Sequence, residues 1–492
     1  MNWSIIEYCG LSENSSCGYC KSSRRRSALG TENGVDEDTD QGHSASFGIW
    51  ALSLSCVNYQ RFLDRGWRRS GKYMYKPTMD KTCCPQYTIR LDSTKFMLSR
   101  SQRRVLRQMN EFLKSGTKPR SRVREEAPIT AENASSSAPR AKDPNIVTTT
   151  LPLLKKDRSD NPVQKKKELR RQRCFNRWRE KGLNEEEMKR ARAAREEARR
   201  RTVESYIAEP DETWKHKLEV KLVHTSSKEF QERFDESFLL YEKYQRIIHK
   251  DDDPSRAGFK RFLVDTPLFD DEPRSHDELK TGSYHQWYIL DGKLIAVGVI
   301  DILPRCVSSK YLYYDPEYSF LSLGTYTALR EIAFTRFVMQ QHPLIKYYYM
   351  GYYIITCPKM RYKGKFRPSE LLCDRTFQWV PLDVCDRMLL ENDSKFTVFL
   401  PDLPPATMQT RDNLLLLIDG KIVSYADLGE LLPSLKPVAE SEEVREKLDA
   451  ICRLNRGRYQ LADYNVPNHG CFRLQTFALE PHPNVILFCN DY

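Results

Sequence analysis

The segment HQWYILDGKLIAVGVIDIL, residues 285–303, decides the fold of the C-terminal half of the chain. Its two apolar runs, 285–290 and 294–303, flank the dipeptide Asp291-Gly292. An Asp-Gly pair between two such runs is the strongest short hairpin signal, because both residues tolerate the positive φ angles of a tight turn. The segment therefore predicts two antiparallel strands at the centre of a sheet.

Further elements extend outward from this hairpin. Alternating apolar residues predict strands at 214–224, 309–314 and 346–355, and helical spacing predicts helices at 229–249 and 323–337. The order of three strands, a loop, a helix and a strand is typical of N-acetyltransferase-like folds. In these folds, the free N–H groups at the helix N-terminus can hold a ligand oxygen. We therefore predict an α+β chain, with a mixed-sheet domain at 207–492.

Composition predicts three segments before this domain. Residues 1–115 hold two cysteine pairs, and within them 22–46 is a polar insert. Residues 116–165 are rich in Ser, Ala, Pro, Lys and Arg and predict a disordered linker. Residues 166–206 predict charged helices: the stretch 165–205 carries 16 Lys and Arg against 8 Asp and Glu. Those helices could be solvated faces laced with ion pairs or a contact for a tRNA backbone.

The overall composition excludes two classes of protein. The 492 residues are 40% hydrophobic, which suffices for more than one core, but no run approaches the ~20 apolar residues of a membrane helix. The N-terminus lacks a secretory signal pattern. We therefore expect a soluble protein with no membrane partner, located in the cytosol, with the basic cluster at 165–173 as a candidate nuclear signal.

Two cysteine pairs form the first chemical motif. Cys17 and Cys20 are separated by two residues, and Cys83 and Cys84 are adjacent. Four thiolates can enclose one soft metal centre, either zinc or an iron–sulfur cluster. Buried thiols that only pack, or a redox pair without metal, are the alternatives. The pattern predicts a Cys-rich metal domain at 1–115.

A basic and aromatic stretch at 63–73 lies between the cysteine pairs. Cations can meet phosphates while rings stack on unpaired bases, so this composition suits nucleic acid. The alternative is a turn and a strand with arginines that extend from an apolar surface. The candidate tRNA-binding residues are Arg65, Trp67, Arg68, Arg69 and Lys72.

Several longer motifs resemble one known family. The N-terminal ones are CGYC at 17–20, DRGWRRSGK at 64–72 and CCPQYT at 83–88. The C-terminal ones are DPEY at 315–318, SLG at 322–324, LREI at 329–332 and YYIITCPKMRYKGKFR at 352–367. In content and order they resemble eukaryotic arginyl-tRNA–protein transferases over roughly 15–115 and 210–400. The polar insert between Cys20 and Trp50 departs from the family pattern.

The resemblance implies an acyltransferase that takes arginine from Arg-tRNA and needs no nucleotide cofactor. It implies acceptor proteins with N-terminal Asp, Glu or oxidised Cys, and a ubiquitin ligase that acts downstream. It also implies that the four cysteines hold an iron–sulfur cluster, with zinc as the alternative. A non-catalytic tRNA-binding protein is the competing hypothesis. An acyl-CoA acetyltransferase is disfavoured, since 319–324 lacks the Gly-rich pyrophosphate loop.

This reaction suggests roles for residues of the C-terminal motifs. Alternating cations after the 347–355 strand would share one face of an extended segment and bind the acceptor carboxylate or the tRNA end. Nearby tyrosines could line the acceptor cleft. The substrate-binding candidates are Lys359, Arg361, Lys363, Arg367, Tyr349 and Tyr353. The catalytic candidates, as partner of the donor guanidinium, as general base or as hydroxyl donor, are Asp301, Asp315, Glu331 and Tyr352, with Glu317 as a further guanidinium partner.

Overall fold

The computed structural model describes residues 4–20, 43–118, 166–180, 182, 184–198, 201–207, 212–270, 279–406, 415–418, 421–424 and 485–488. Most of the predicted insert and linker, 22–42 and 119–165, lies outside these residues. The chain forms two compact units, one of Met1–Pro119 with Val203–Tyr492 and the other of Arg120–Thr202. The second unit contains two charged helices, in the segment predicted to be helical.

Strands and helices are numbered along the chain. The strands are β1 (Ser4–Ser16), β2 (His43–Ser55), β3 (Arg68–Ser70), β4 (Tyr73–Pro77), β5 (Tyr87–Asp92), β6 (Leu218–His224), β7 (Leu268–Phe269), β8 (Gly282–Leu290), β9 (Lys293–Leu303), β10 (Cys306–Tyr314), β11 (Tyr347–Tyr353), β12 (Ser369–Leu372), β13 (Trp379–Pro381), β14 (Leu415–Ile418), β15 (Lys421–Ser424) and β16 (Val485–Phe488). The α-helices are α1 (Cys56–Leu63), α2 (Arg100–Ser115), α3 (Lys166–Arg179), α4 (Glu185–Ala198), α5 (Lys228–Glu232), α6 (Phe234–Tyr244), α7 (Arg256–Phe259), α8 (Leu323–Gln341), α9 (Pro358–Arg361) and α10 (Leu382–Glu391).

A mixed sheet in the order β13-β12-β5-β11-β10-β9-β8-β6 forms the centre of the larger unit. The predicted hairpin is confirmed, since β8 and β9 pair antiparallel up to Leu290 and Lys293 on either side of Asp291-Gly292. Strands β10 and β11 pair in parallel, and the long helix α8 connects them. The predicted helix at 323–337 and strand at 346–355 are therefore confirmed with slightly different ends.

The N-terminal region contributes a strand to this central sheet. Strand β5 lies between β11 and β12, and its Ile89 and Leu91 side chains are completely buried. The regions 1–115 and 207–492, expected as separate domains, thus share one compact unit. The reason is that β5 completes the hydrogen bonding of β11, which composition alone does not reveal.

Both faces of the central sheet are covered. On one face, Ile332 of α8 packs in a cluster with Ile300 and Tyr348. On the other, Phe230 and Phe259 pack with Trp287. A sheet buried on both faces needs apolar residues at successive positions, which explains the nearly continuous apolar run of β9.

Gly71, in the turn between β3 and β4, requires the absence of a side chain. Its φ is +62°, and a Cβ placed there would lie 1.9 Å from the Arg261 carbonyl oxygen. We expect Gly71→Ala to lower the free energy of unfolding by about 3 kcal/mol or more, since left-handed strain and a backbone clash add. Gly292→Ala is the matched control: it has φ +85° but no atom within 4 Å, so only about 1 kcal/mol is expected. Urea unfolding of both variants measures this, and equal losses would contradict the clash.

Candidate active site and metal centre

Strands β10 and β11 part after a short parallel pairing. The paired residues run from Cys306 with Tyr347 to Ser308 with Tyr349, and the described residues show no pairing between the two strands beyond that point. Among the described residues, Ser309–Tyr314 of β10 then pairs with β9, while Tyr352 and Tyr353 pair with β5. We call this opening the strand cleft. Backbone groups that have no neighbouring strand are available to a ligand, as are the side chains around them.

Glu331 lies beneath the strand cleft on the α8 face of the sheet. It is 2% exposed, and its Oε2 accepts a hydrogen bond of 2.6 Å from the Tyr348 hydroxyl. Burial raises the pKa of Glu331 to about 7, although hydrogen bonds from Tyr348 and Ser309 favour the ionised form. Both hydroxyls come from the strands that part, so this carboxyl marks the base of the cleft.

Asp301 and Arg69 form a buried ion pair on the opposite face. Arg69 donates from Nε to Oδ2 at 2.9 Å and from Nη2 to Oδ1 at 2.5 Å, and both side chains have no exposed surface. Arg69 also donates to the Ser283 hydroxyl and the Gly71 carbonyl. Asp301 is therefore committed to Arg69, which disagrees with its predicted role as a general base or guanidinium partner. Arg69 was predicted to bind tRNA, but its side chain is buried in this ion pair.

Lys310 lies beside this ion pair, on the part of β10 that borders the strand cleft. Its side chain is half-buried and forms no hydrogen bond or ion pair with the residues that the structure describes. Burial and the Arg69 cation lower the pKa of Lys310 to about 7, and Asp301 opposes the shift. Lys310 was not among the residues predicted from sequence, where its signal is a single lysine inside an aromatic strand.

The cation-rich segment 359–367 was predicted to be extended, but it is helical over residues 359–365 in the structure. It forms α9, followed by a 3₁₀ turn at Tyr362–Lys365, because Pro358 favours the first position of a helix. Lys363 donates from Nζ to the Tyr352 carbonyl at 2.7 Å, and Arg367 is bound to Asp383. Lys359 and Arg361 are exposed. The four predicted cations therefore do not share one face.

Three tyrosines of β11 use their hydroxyls inside the protein. Tyr349 donates to Asp64, Tyr352 donates to the Gly66 carbonyl at 2.7 Å, and Tyr353 donates to Asp386 at 2.9 Å. All three rings are buried. These hydrogen bonds hold β11 to its neighbours. The hydroxyls were predicted to contact an acceptor, but they are already bonded within the protein.

The predicted tRNA-binding stretch is largely folded into the interior. Trp67 is 1% exposed and packs edge-on against Phe62. Arg68 is buried, stacks on the Tyr352 ring and donates to the Gly351 carbonyl at 3.2 Å. Arg68 thus stabilises the packing of the N-terminal region against β11, while Trp67 packs within the N-terminal region. This corrects their predicted role as a surface for nucleic acid.

The two outer candidates of that stretch, Arg65 and Lys72, are half-buried. The Arg65 guanidinium lies 5.1 Å from the centre of the Phe377 ring. Each therefore keeps part of its side chain at the surface, unlike the three residues between them.

Asp315 has a structural position. Its Oδ1 lies 2.7 Å from Lys243 Nζ and its Oδ2 lies 3.1 Å from Lys293 Nζ. Its side chain also accepts from the Glu317 N–H at the start of the 3₁₀ segment Pro316–Leu321. With two lysines and a cap already bound, Asp315 is not the free catalytic carboxylate that the sequence analysis predicted.

The four predicted metal ligands come together. The Sγ atoms of Cys17, Cys20, Cys83 and Cys84 all lie within 4.8 Å of one another. Four sulfurs around one tetrahedral ion at 2.3 Å lie about 3.8 Å apart, so the donor set fits a single soft ion with small adjustments. An iron–sulfur cluster has the same donors but requires wider separation. Burial and the Cys17 thiol raise the pKa of Cys84 to about 12, so a bound metal would replace protons.

This cysteine cluster packs directly against the end of β11. Cys17 and Cys84 share an apolar cluster with Ile354 and Cys357, and Met360 of α9 packs against it. The cluster thus positions the turn from β11 into α9, one wall of the strand cleft.

Comparison with known proteins agrees with this arrangement. Residues 15–104 match the family model described as arginine-tRNA-protein transferase, N terminus, and 236–373 match the model for its C terminus. Arginyl-tRNA–protein transferase 1 of Drosophila melanogaster is 36% identical over 471 residues, which cover 86% of this chain and 92% of the relative. Arginyl-tRNA–protein transferase 2 of Arabidopsis thaliana is 33% identical, over 78% of this chain and 76% of that protein.

A bacterial relative matches a smaller region. Aspartate/glutamate leucyltransferase of Pseudomonas fluorescens is 36% identical over 152 residues, which cover 30% of this chain and 56% of that protein. Together with the cleft and the cysteine cluster, these matches define an enzyme that transfers an aminoacyl group from tRNA to protein. The chain belongs to the arginyl-tRNA–protein transferase family. A non-catalytic RNA-binding protein, the competing hypothesis, is thereby set aside.

Proposed function

We propose that this enzyme adds arginine to the N-terminal amine of proteins that begin with Asp, Glu or oxidised Cys, and that a ubiquitin ligase then directs the product to degradation. The acidic specificity is supported by Lys310, an ammonium without a bonded partner among the described residues, at the strand cleft. It is also supported by the name of the bacterial relative, an aspartate/glutamate leucyltransferase.

The reaction is aminolysis of an ester. The neutral α-amine of the acceptor attacks the carbonyl carbon of the arginyl ester, a C–N bond forms, and the C–O bond to the ribose breaks. The ribose oxygen takes up the proton that the amine loses. Because the ester is already activated, positioning of the two reactants supplies most of the acceleration.

Lys310 suits an acceptor carboxylate better than the cations predicted from sequence. Lys363 and Arg367 are already bound to protein groups. A carboxylate that enters the cleft would stabilise the charged form of Lys310, which burial and Arg69 disfavour. The exposed Lys359 and Arg361 would then bind the end of the tRNA.

The wider arrangement follows the same reasoning. We propose that the central sheet is N-acetyltransferase-like, with the donor ester at the strand cleft, as in enzymes that bind acyl donors where parallel strands part.

Lys72 and the cations of α3 and α4 would contact the tRNA backbone, an electrostatic and salt-dependent interaction. The four cysteines would hold zinc or an iron–sulfur cluster with a structural role at the start of α9. The cytosol, with access to the nucleus through the basic cluster at 165–173, is the proposed location.

Peptides that differ only at residue one test the acceptor proposal. With labelled Arg-tRNA, we expect kcat/KM to be at least about 100-fold higher for Asp and Glu than for Ala or Lys, since only the former pair with Lys310. Lys310→Met should reduce this preference to about tenfold or less. Lys228→Met, which changes a lysine 92% exposed on α5, is the control and should preserve the preference. Equal transfer to Asp and Ala by the unchanged enzyme would refute the acidic specificity.

A further inference from the structure

The donor arginine carries a guanidinium that an enzyme specific for arginine must recognise. Recognition of this group needs a carboxylate, since two parallel N–H···O bonds give both energy and geometry. Four carboxylates near the strand cleft or the helix that follows it are candidates: Asp301, Asp315, Glu317 and Glu331. Their partners in the structure separate them.

Three of the four already have a cation. Asp301 is bound to Arg69, and both Asp315 and Glu317 are bound to Lys243, at 2.7 and 2.6 Å. Glu331 has no lysine, arginine or histidine partner in the part of the chain that the structure describes. Among the described residues, it accepts a hydrogen bond from the Tyr348 hydroxyl, and the nearby Ser309 hydroxyl also favours its ionised form.

The position of Glu331 relates it to the ester. Tyr348 belongs to the parallel pairing of β10 and β11, and Ser309 is the first residue of β10 beyond it. The carboxyl therefore sits directly under the point where the strands part. We propose that Glu331 binds the guanidinium of the donor arginine and so selects arginyl-tRNA.

The surroundings of Glu331 agree with this assignment. A buried carboxylate without a cation is costly, and a guanidinium supplied by the substrate removes that cost. Gly298 leaves room for the carboxyl, because a Cβ there would lie 2.6 Å from Oε1. Glu331 contributes to the raised pKa of Tyr362, a residue that is 40% exposed.

A structural role for Glu331 is the alternative. A protonated carboxyl that bonds the Tyr348 hydroxyl could simply fill the core between α8 and the sheet. Glu331→Gln separates the two roles, because glutamine keeps the shape and the hydrogen-bond acceptor but cannot pair with a guanidinium. A structural role predicts equal effects on all donors, whereas recognition predicts an effect specific to charged arginine.

The test compares two donors on the same tRNA: arginine and citrulline, its neutral isostere, with one acidic acceptor peptide. The unchanged enzyme should transfer arginine with a kcat/KM on the order of 100-fold higher than citrulline, as expected for a buried charged pair. Glu331→Gln should lower arginine transfer about 100-fold and leave citrulline transfer within about threefold. Glu317→Gln, which changes an exposed carboxylate paired with Lys243, should leave the ratio unchanged.

Two outcomes would overturn the assignment. If Glu331→Gln lowers the transfer of both donors equally, the residue is structural. The unchanged enzyme supplies a test that does not depend on folding of a variant. If its kcat/KM is equal for citrulline and arginine, no carboxylate recognises the guanidinium. Because the ratio compares donors with one acceptor, its loss is distinguishable from failure of the acidic acceptor specificity.

Discussion

Replacement of Arg69 by methionine is expected to lower the free energy of unfolding by about 3–5 kcal/mol. The change leaves the Asp301 carboxylate with no cation bonded to it. The loss is costly because the Asp301 side chain has no exposed surface. The hydrogen bond that the Ser283 hydroxyl donates to Asp301, at 2.9 Å, would remain. Urea or thermal unfolding, followed by tryptophan fluorescence, measures the loss.

The double variant Arg69→Met with Asp301→Leu supplies the control. Removing both partners leaves no unpaired charge, so most of the loss should be recovered. The single change should also raise the pKa of Lys310, because the Arg69 cation contributes to its depression. A single variant that loses less than about 1 kcal/mol, or a double variant no more stable than the single one, would show that this pair does not hold β3 to the sheet.

Sequence patterns predicted the elements whose signals are local. The hairpin of β8 and β9, the helix α8 and the four clustered cysteines each follow from spacing within a short window, and all are present. The insertion of β5 between β11 and β12 could not be predicted in this way. Pairing of strands more than 250 residues apart leaves no local pattern, since β5 ends at Asp92 and β11 begins at Tyr347.

Charged residues were harder to place than apolar ones. A basic stretch such as 64–72 has the same composition whether its arginines meet phosphates or a buried carboxylate. Only the structure reveals that Arg69 is bound to Asp301 and that Arg68 stacks on Tyr352. For the same reason Lys310 was missed and Glu331 was one candidate among several. The useful signal at this site is the absence of a partner, which is a property of three-dimensional surroundings.

The cysteine cluster leads to the second large effect. Replacing Cys84 by serine is expected to lower metal affinity by more than about 100-fold, because three thiolates remain and one becomes a weaker hydroxyl ligand. Cys84 also packs against Ile354 and Cys357, so loss of the metal should loosen the turn between β11 and α9. Metal content per chain and amide hydrogen exchange of residues 354–361 measure the two consequences, and transfer from Arg-tRNA should fall with them.

A second cysteine variant distinguishes loss of the metal from loss of a thiol. Cys174 is exposed on α3 and lies outside the group of four, so Cys174→Ser should preserve metal content, exchange rates and activity. Protein purified without air and protein purified in air should be compared, because an iron–sulfur cluster is sensitive to oxidation and zinc is not. If Cys84→Ser removes the metal while exchange at 354–361 stays slow, the cluster does not order the wall of the strand cleft. Its contribution to transfer would then have to lie elsewhere, for example in binding the tRNA.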